Sequence, residues 1–200
     1  LFGEVAEDPG RVEEQGIREL RLGRLARVEK LLILREAADE ETIRAYVGQA
    51  RHLGARLEEL GVPIVVPVGA HAVFVDAKRF LPHLPQTEFP AQALAAAIYV
   101  AGGVRAMERG IVSGQHGHEP YDGLELVRLT IPRRVYTQEH LDYVADVVAR
   151  VFVARDEVPG LEMVYEPEEL RFFQARFEPL DRFPGFELSE SQDRVPARVG

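Results

Sequence analysis

The sequence predicts a two-layer α/β sandwich, with helices on one side of a mixed sheet. Stretches of helical periodicity alternate along the chain with short runs rich in Val and Phe, and Gly and Pro fall at their junctions. The 200 residues are 46% hydrophobic and 28% charged, which is enough apolar material for one domain, or one and a half, with a buried core.

Residues 1–38 are charged and weakly patterned, with helical pieces around 11–22 and 25–37. The pattern sharpens at Asp39, an N-cap followed by Glu40 and Glu41 at the positive end of a helix dipole. Ile43, Val47, Ala50, Leu53, Leu57 and Leu60 then recur at intervals of three and four, and Gly61 stops the helix. Two strands follow, 64–67 and 72–76, rich in Val and Phe and bounded by Pro63, Pro67 and Gly69. Pro90 opens an Ala-rich helix to Val100, ended by Gly102 and Gly103, whose small side chains suit close packing against a sheet. Residues 104–108 and 124–131 read as strands around a glycine-rich loop, 110–123. Thr137 caps a third helix reaching about Ala154, with Leu141, Val144, Val148 and Val151 inward. Residues 161–165 and 170–177 read as strands with alternating faces, and 181–200 as a polar, mobile tail.

Composition excludes several classes. No cysteine is present, so there is no disulfide framework and no thiolate metal site, as suits a reducing compartment. A net charge of −9, from 24 basic and 33 acidic residues, argues against a nucleic-acid binder. The uncharged stretch from Gly61 up to Asp76 is interrupted by Pro63, Pro67 and His71, so no membrane span is expected. Leu1–Gly10 carries Glu4, Glu7 and Asp8 in place of a basic signal-peptide start, so a cytoplasmic location is expected.

Several residues could carry chemistry. His116 and His118 lie beside Glu119 and could hold zinc, although a solvated loop is the plainer reading. His140 suits a surface role in a helix's first turn, and His71 a structural hydrogen bond in an apolar setting. Ser113 is not in a nucleophile elbow, and neither glycine-rich phosphate motif occurs. Arg128 is different: it interrupts the apolar run Leu124-Glu-Leu-Val-Arg-Leu-Thr-Ile131. A guanidinium there needs an anion or a wet cleft, and its planar fork suits a carboxylate. Arg109, ending a strand beside Gly110, reaches toward the same kind of cleft, while Arg133 and Arg134 read as edge charges. For each of these arginines the competing reading is a surface ion pair. Phe172 and Phe173 are adjacent, so in a strand one would fill the core and the other face a ligand, partner or solvent.

Six blocks carry a family resemblance: Gly61-Val-Pro-Ile-Val, His71-Ala-Val-Phe-Val-Asp-Ala77, Phe89-Pro-Ala-Gln-Ala-Leu-Ala-Ala, Val104-Arg-Ala-Met-Glu-Arg-Gly-Ile, Leu126-Val-Arg-Leu-Thr-Ile-Pro-Arg-Arg-Val-Tyr-Thr137, and Tyr165-Glu-Pro with Leu170-Arg-Phe-Phe-Gln-Ala-Arg-Phe177. In collinear order over about 39–180, they resemble the C-terminal part of the tyrosine phenol-lyase and tryptophanase family. These are pyridoxal-phosphate β-eliminating lyases of the aspartate-aminotransferase fold type. The resemblance implies a divergent segment 1–38, a small domain and C-terminal segment 39–180, and a tail 181–200. It implies that Arg128 binds the α-carboxylate of an aromatic amino acid. It also implies that Arg109 contacts a phenolic hydroxyl and that Phe172 and Phe173 wall the leaving group. Tryptophanases carry an apolar residue at the position of Arg109 and usually His at that of Phe172, so the resemblance leans to the phenol-lyases, with tryptophan cleavage the alternative. For the full-length family it implies pyridoxal phosphate, a monovalent cation and a homotetramer.

The departures are as informative. The cofactor needs a lysine for its internal aldimine. Only Lys30 and Lys78 are present, and neither lies in the Ser-x-Lys-Lys setting of the family. The expectation is a chain without the cofactor-bearing large domain. It would have no catalytic residue and no bound cofactor of its own, and would be inert alone or serve as a non-catalytic interaction domain.

Overall fold

The computed structural model describes residues 39–114, 123–132 and 135–186. The chain divides into two compact units, Leu1–Ala45 and Tyr46–Gly200. Of the first, the described residues are 39–45, the cap and opening turns of helix α1 (Glu40–Glu59). There Asp39 Oδ2 accepts from the Thr42 amide at 2.9 Å, and that bond holds the Asp39 carboxyl below its ordinary value.

In the second unit α1 buries Ala50, Leu53, Gly54 and Leu57, as the spacing requires, and Gly61 follows with a left-handed φ of 74°. Strand β1 (Ala72–Asp76) leads straight into a one-turn helix, α2 (Ala77–Phe80), capped by Asp76. Pro90 is the first residue of α3 (Pro90–Gly102), and Gly103, left-handed at φ 68°, ends it. Strand β2 (Met107–Arg109) runs into a 3-10 turn, Ile111–Ser113, and β3 (Leu126–Thr130) follows the glycine-rich loop. Thr137 and His140 form a capping box at the start of α4 (Gln138–Val153). Strand β4 (Leu161–Tyr165), the one-turn helix α5 (Arg171–Gln174) and β5 (Arg176–Pro179) complete the order.

The three-stranded sheet has the order β1-β3-β2 and is antiparallel throughout, not mixed as expected. β1 and β2 run the same way, but β3 lies between them, so no parallel pair forms. Val73 and Val75 of β1 and Val127 and Leu129 of β3 point into one core with α1, α3 and α4. Each fully buried aliphatic side chain there is worth about 1.5–3 kcal/mol. α3 and α4 pack closely, and a Cβ on Gly102 of α3 would overlap the Val147 side chain of α4. Side chains of α4 also serve the open carbonyls at the end of α3: Tyr143 Oη donates to Gly102 O at 2.9 Å, and Arg150 Nη1 to Ala101 O at 3.2 Å. β4 and β5 form a separate antiparallel pair.

Three expected strands are corrected. Residues 64–67 make a single bridge, Ile64 to Val75, because Pro63 and Pro67 bracket them and cannot donate to a ladder. Of 104–108 only the last two residues enter β2; those before them carry the chain away from the helix stop at Gly103. Residues 170–177 are not one strand: Leu170 adopts φ 56°, Arg171–Gln174 form a helical turn, and β5 starts at Arg176. Of the polar tail, Phe183 and Phe186 pack against the core, and 187–200 lie outside the described residues.

Candidate functional site

Helices cover one face of the three-stranded sheet; the other carries the side chains of opposite parity. Across it Phe74, Arg128 and Met107 stand in one row, since Arg128 is directly opposite Phe74 on one side and Met107 on the other. All three are half-buried. Arg109 is two residues along from Met107 and opposite Leu126, so it shares that face with Arg128. The backbone thus brings the two predicted arginines together. Arg128 Nε is buried without a hydrogen-bond partner. An N–H of a charged group left so costs about 1–3 kcal/mol or more.

Beneath this face, the end of β2 is held by buried charges that sequence reasoning did not single out. Glu108 and Glu125 are 5% and 3% exposed. Glu108 Oε2 accepts from the Gly110 amide at 3.0 Å, and its other oxygen, Oε1, is buried without a partner. Glu125 accepts from Gln86 Nε2 at 3.1 Å, from the Ile111 amide at 2.9 Å, and from the Ala91 amide, in the first turn of α3, at 3.2 Å. A Cβ on Gly110 would overlap the Glu125 carboxylate, so only glycine allows this approach. Arg171, 6% exposed, donates from Nη1 to Glu166 Oε1 at 2.9 Å and from Nη2 to Ile111 O. Burial pushes the Glu108 carboxyl up to about 7; the Gly110 amide opposes this, Glu125 adds to it, and Arg109 and Arg171 pull it down. The signal available in sequence was parity: Glu108 and Glu125 take the same face as Val127 once the β2–β3 register is known.

Phe172 and Phe173 lie on α5, which packs against the 3-10 turn that follows Arg109. Their rings meet edge to face at 4.9 Å and 85°. Neither fills the core: Phe172 is half-buried and Phe173 is 74% exposed, because the buried residue of α5 is Arg171.

Ser113 Oγ is buried without a partner in the 3-10 turn. His71 is exposed, not in an apolar setting, and His140 Nδ1 accepts from the Thr137 amide at 3.2 Å. His116, His118, Glu119, Arg133, Arg134 and Lys30 lie outside the described residues. Among the described residues no group of three or more metal-binding side chains gathers, and no helix is long and apolar enough to cross a membrane. Lys78, the one lysine described, is exposed on the one-turn helix α2. An internal aldimine needs a lysine held in a shielded site, so the described residues do not fit pyridoxal phosphate by themselves.

A family model described as "Beta-eliminating lyase" matches residues 22–147. The tyrosine phenol-lyase of Symbiobacterium sp. (strain SC-1) is 60% identical over 149 residues, that of Pasteurella multocida 60% over 148, and that of Nostoc punctiforme 57% over 149. Each alignment covers 72% of this chain and 32% of the relative, so the chain spans about a third of the length of the curated relatives it matches. A match over more than half of the residues, together with identities near 60% in collinear order, places the chain in the beta-eliminating lyase family.

Proposed function

We propose that residues 39–180 are the small domain and C-terminal segment of a pyridoxal-phosphate lyase of the aminotransferase fold type that cleaves tyrosine to phenol, pyruvate and ammonia. The observation that carries this reading is Arg128: a half-buried guanidinium with an unpaired Nε, on a sheet face it shares with Arg109. Arg128 grips the α-carboxylate of the substrate through its planar fork and so fixes the amino acid's orientation. Arg109 faces the far end of the substrate and favours a leaving group that bears oxygen, which its guanidinium can hydrogen-bond. The paired rings of Phe172 and Phe173 wall the aromatic group and shield it from water.

The cofactor, which stores the electron pair released at the α-carbon, belongs to a cofactor-bearing domain outside this segment. The chain is inert alone and works in a cytoplasmic homo-oligomer. That the relatives are tyrosine phenol-lyases supports tyrosine as substrate, and Arg109 and Phe172 support it over tryptophan.

The test is complementation. The purified chain is supplied with pyridoxal phosphate and tyrosine, alone and with the part of the Symbiobacterium enzyme that lies outside the aligned region. Pyruvate is expected only from the mixture. Turnover by the chain alone contradicts the division of labour, and tryptophan cleaved faster than tyrosine contradicts the substrate.

A further inference from the structure

The helix that bears the aromatic pair has little else to hold it. α5 is four residues long, too short to be stable by itself. Leu170, before it, is a non-glycine residue at φ 56° and ψ 39° and is 54% exposed, so it contributes backbone strain and little burial. Phe173 is 74% exposed. What the turn does bury is a charge, Arg171, whose Nη2 reaches Ile111 O across 60 residues of sequence. The two peptide groups that flank the Ile111 Cα are thereby both held by buried side chains, the N–H of one by Glu125 and the carbonyl of the other by Arg171. Ile111 is two residues beyond Arg109, and the intervening Gly110 amide is held by Glu108.

We infer that Arg171 is a positioning residue: its bond to the Ile111 carbonyl ties the Phe172–Phe173 pair to the end of the strand that carries Arg109, and so sets the distance between the ring wall and the hydroxyl-recognising arginine. The role rests on the functional reading above. Arg171 is buried beneath the pair and need touch no substrate. It serves substrates with a phenolic ring and is indifferent to those with a small leaving group.

Two arms test this, and they separate the tether from the function. In the complemented lyase, Arg171→Met is expected to lower kcat/KM for tyrosine at least about tenfold, since misplacement on the ångström scale is costly in oriented catalysis. It is expected to leave S-methylcysteine, which has no ring to be walled, within about twofold, because its reaction draws on neither ring nor hydroxyl contact. Equal losses on both substrates overturn the inference, because a general structural defect does not distinguish them. In the 200-residue chain alone, which has no tryptophan, Phe172→Trp installs a single reporter at the half-buried ring of the pair. Adding Arg171→Met is expected to raise its acrylamide quenching constant about twofold as the turn opens locally, while Glu166→Gln, which keeps the bond to Ile111, leaves it unchanged. An unmoved reporter in Arg171→Met overturns the tether. Where Met unfolds the chain, Arg171→Lys, which keeps the charge and loses the fork, replaces it with the same expectations. Inactivity of the complemented wild type would refute the functional reading alone, since the reporter arm still decides the tether.

Discussion

Replacing Glu108 by Gln converts a carboxyl that titrates into a neutral amide of the same shape, and the consequence can be worked out in sign and size. Burial raises this group from 4.5 to about 7 in the folded chain. Below pH 4.5 both folded and unfolded chains hold the proton, and nothing is lost. Between the two values the unfolded chain releases the proton while the folded chain keeps it, so stability falls as pH rises. Above about 7 both are ionised and the loss is complete. At about 1.4 kcal/mol per pH unit, the gap is worth about 3 kcal/mol. For a chain of this size that is about 6–12 °C in melting temperature. Glu125 is the carboxylate that faces Glu108, with Arg109 and Arg171 opposing it, so the window belongs to the coupled group. The assay is urea unfolding of wild type and Glu108→Gln from pH 4 to 8.5. The variant's advantage should grow through that window to about 3 kcal/mol and then level off. Curves that stay parallel across the range would refute a buried, proton-holding Glu108.

Three further outcomes are expected. Gly110→Ala drives a methyl into the Glu125 carboxylate and should cost about 1–3 kcal/mol in chemical denaturation, as overpacking does. Tyr143→Phe removes the donor to Gly102 O and should cost about 0.5–1.5 kcal/mol in the same experiment. Arg128→Met removes a buried, unpaired N–H from the folded chain, so in the chain alone it should leave stability unchanged or raise it by about 1 kcal/mol; a large loss would mean that Arg128 is a structural residue.

The three long helices were legible because their signals are local. Asp39, Pro90 and Thr137 mark the starts, Gly61 and Gly103 two of the stops, and apolar spacing marks the buried faces. That Arg128 would sit within the sheet and not in open solvent was legible, because a charge inside an apolar strand is a local anomaly. The turn at 171–174 was not, because the force that bends it is a bond from Arg171 to a carbonyl 60 residues earlier. Read locally, Leu170-Arg-Phe-Phe alternates like a strand and puts a phenylalanine inside; the fold buries the arginine. The clamp of Glu108 and Glu125 was hidden for a related reason: it exists only once the β2–β3 register places both carboxylates at Gly110 and Ile111. The sheet's uniform direction also depends on strand order, since inserting β3 between β1 and β2 is a tertiary fact that no strand's own residues record.

The central claim is that Arg128 receives a substrate carboxylate, and its most direct measure is kcat/KM for tyrosine in the complemented lyase carrying Arg128→Lys. Lysine keeps the charge and loses the bidentate fork, so at about 3 kcal/mol of lost carboxylate grip the value should fall about 100-fold. A kcat/KM equal to that of wild type would contradict the account.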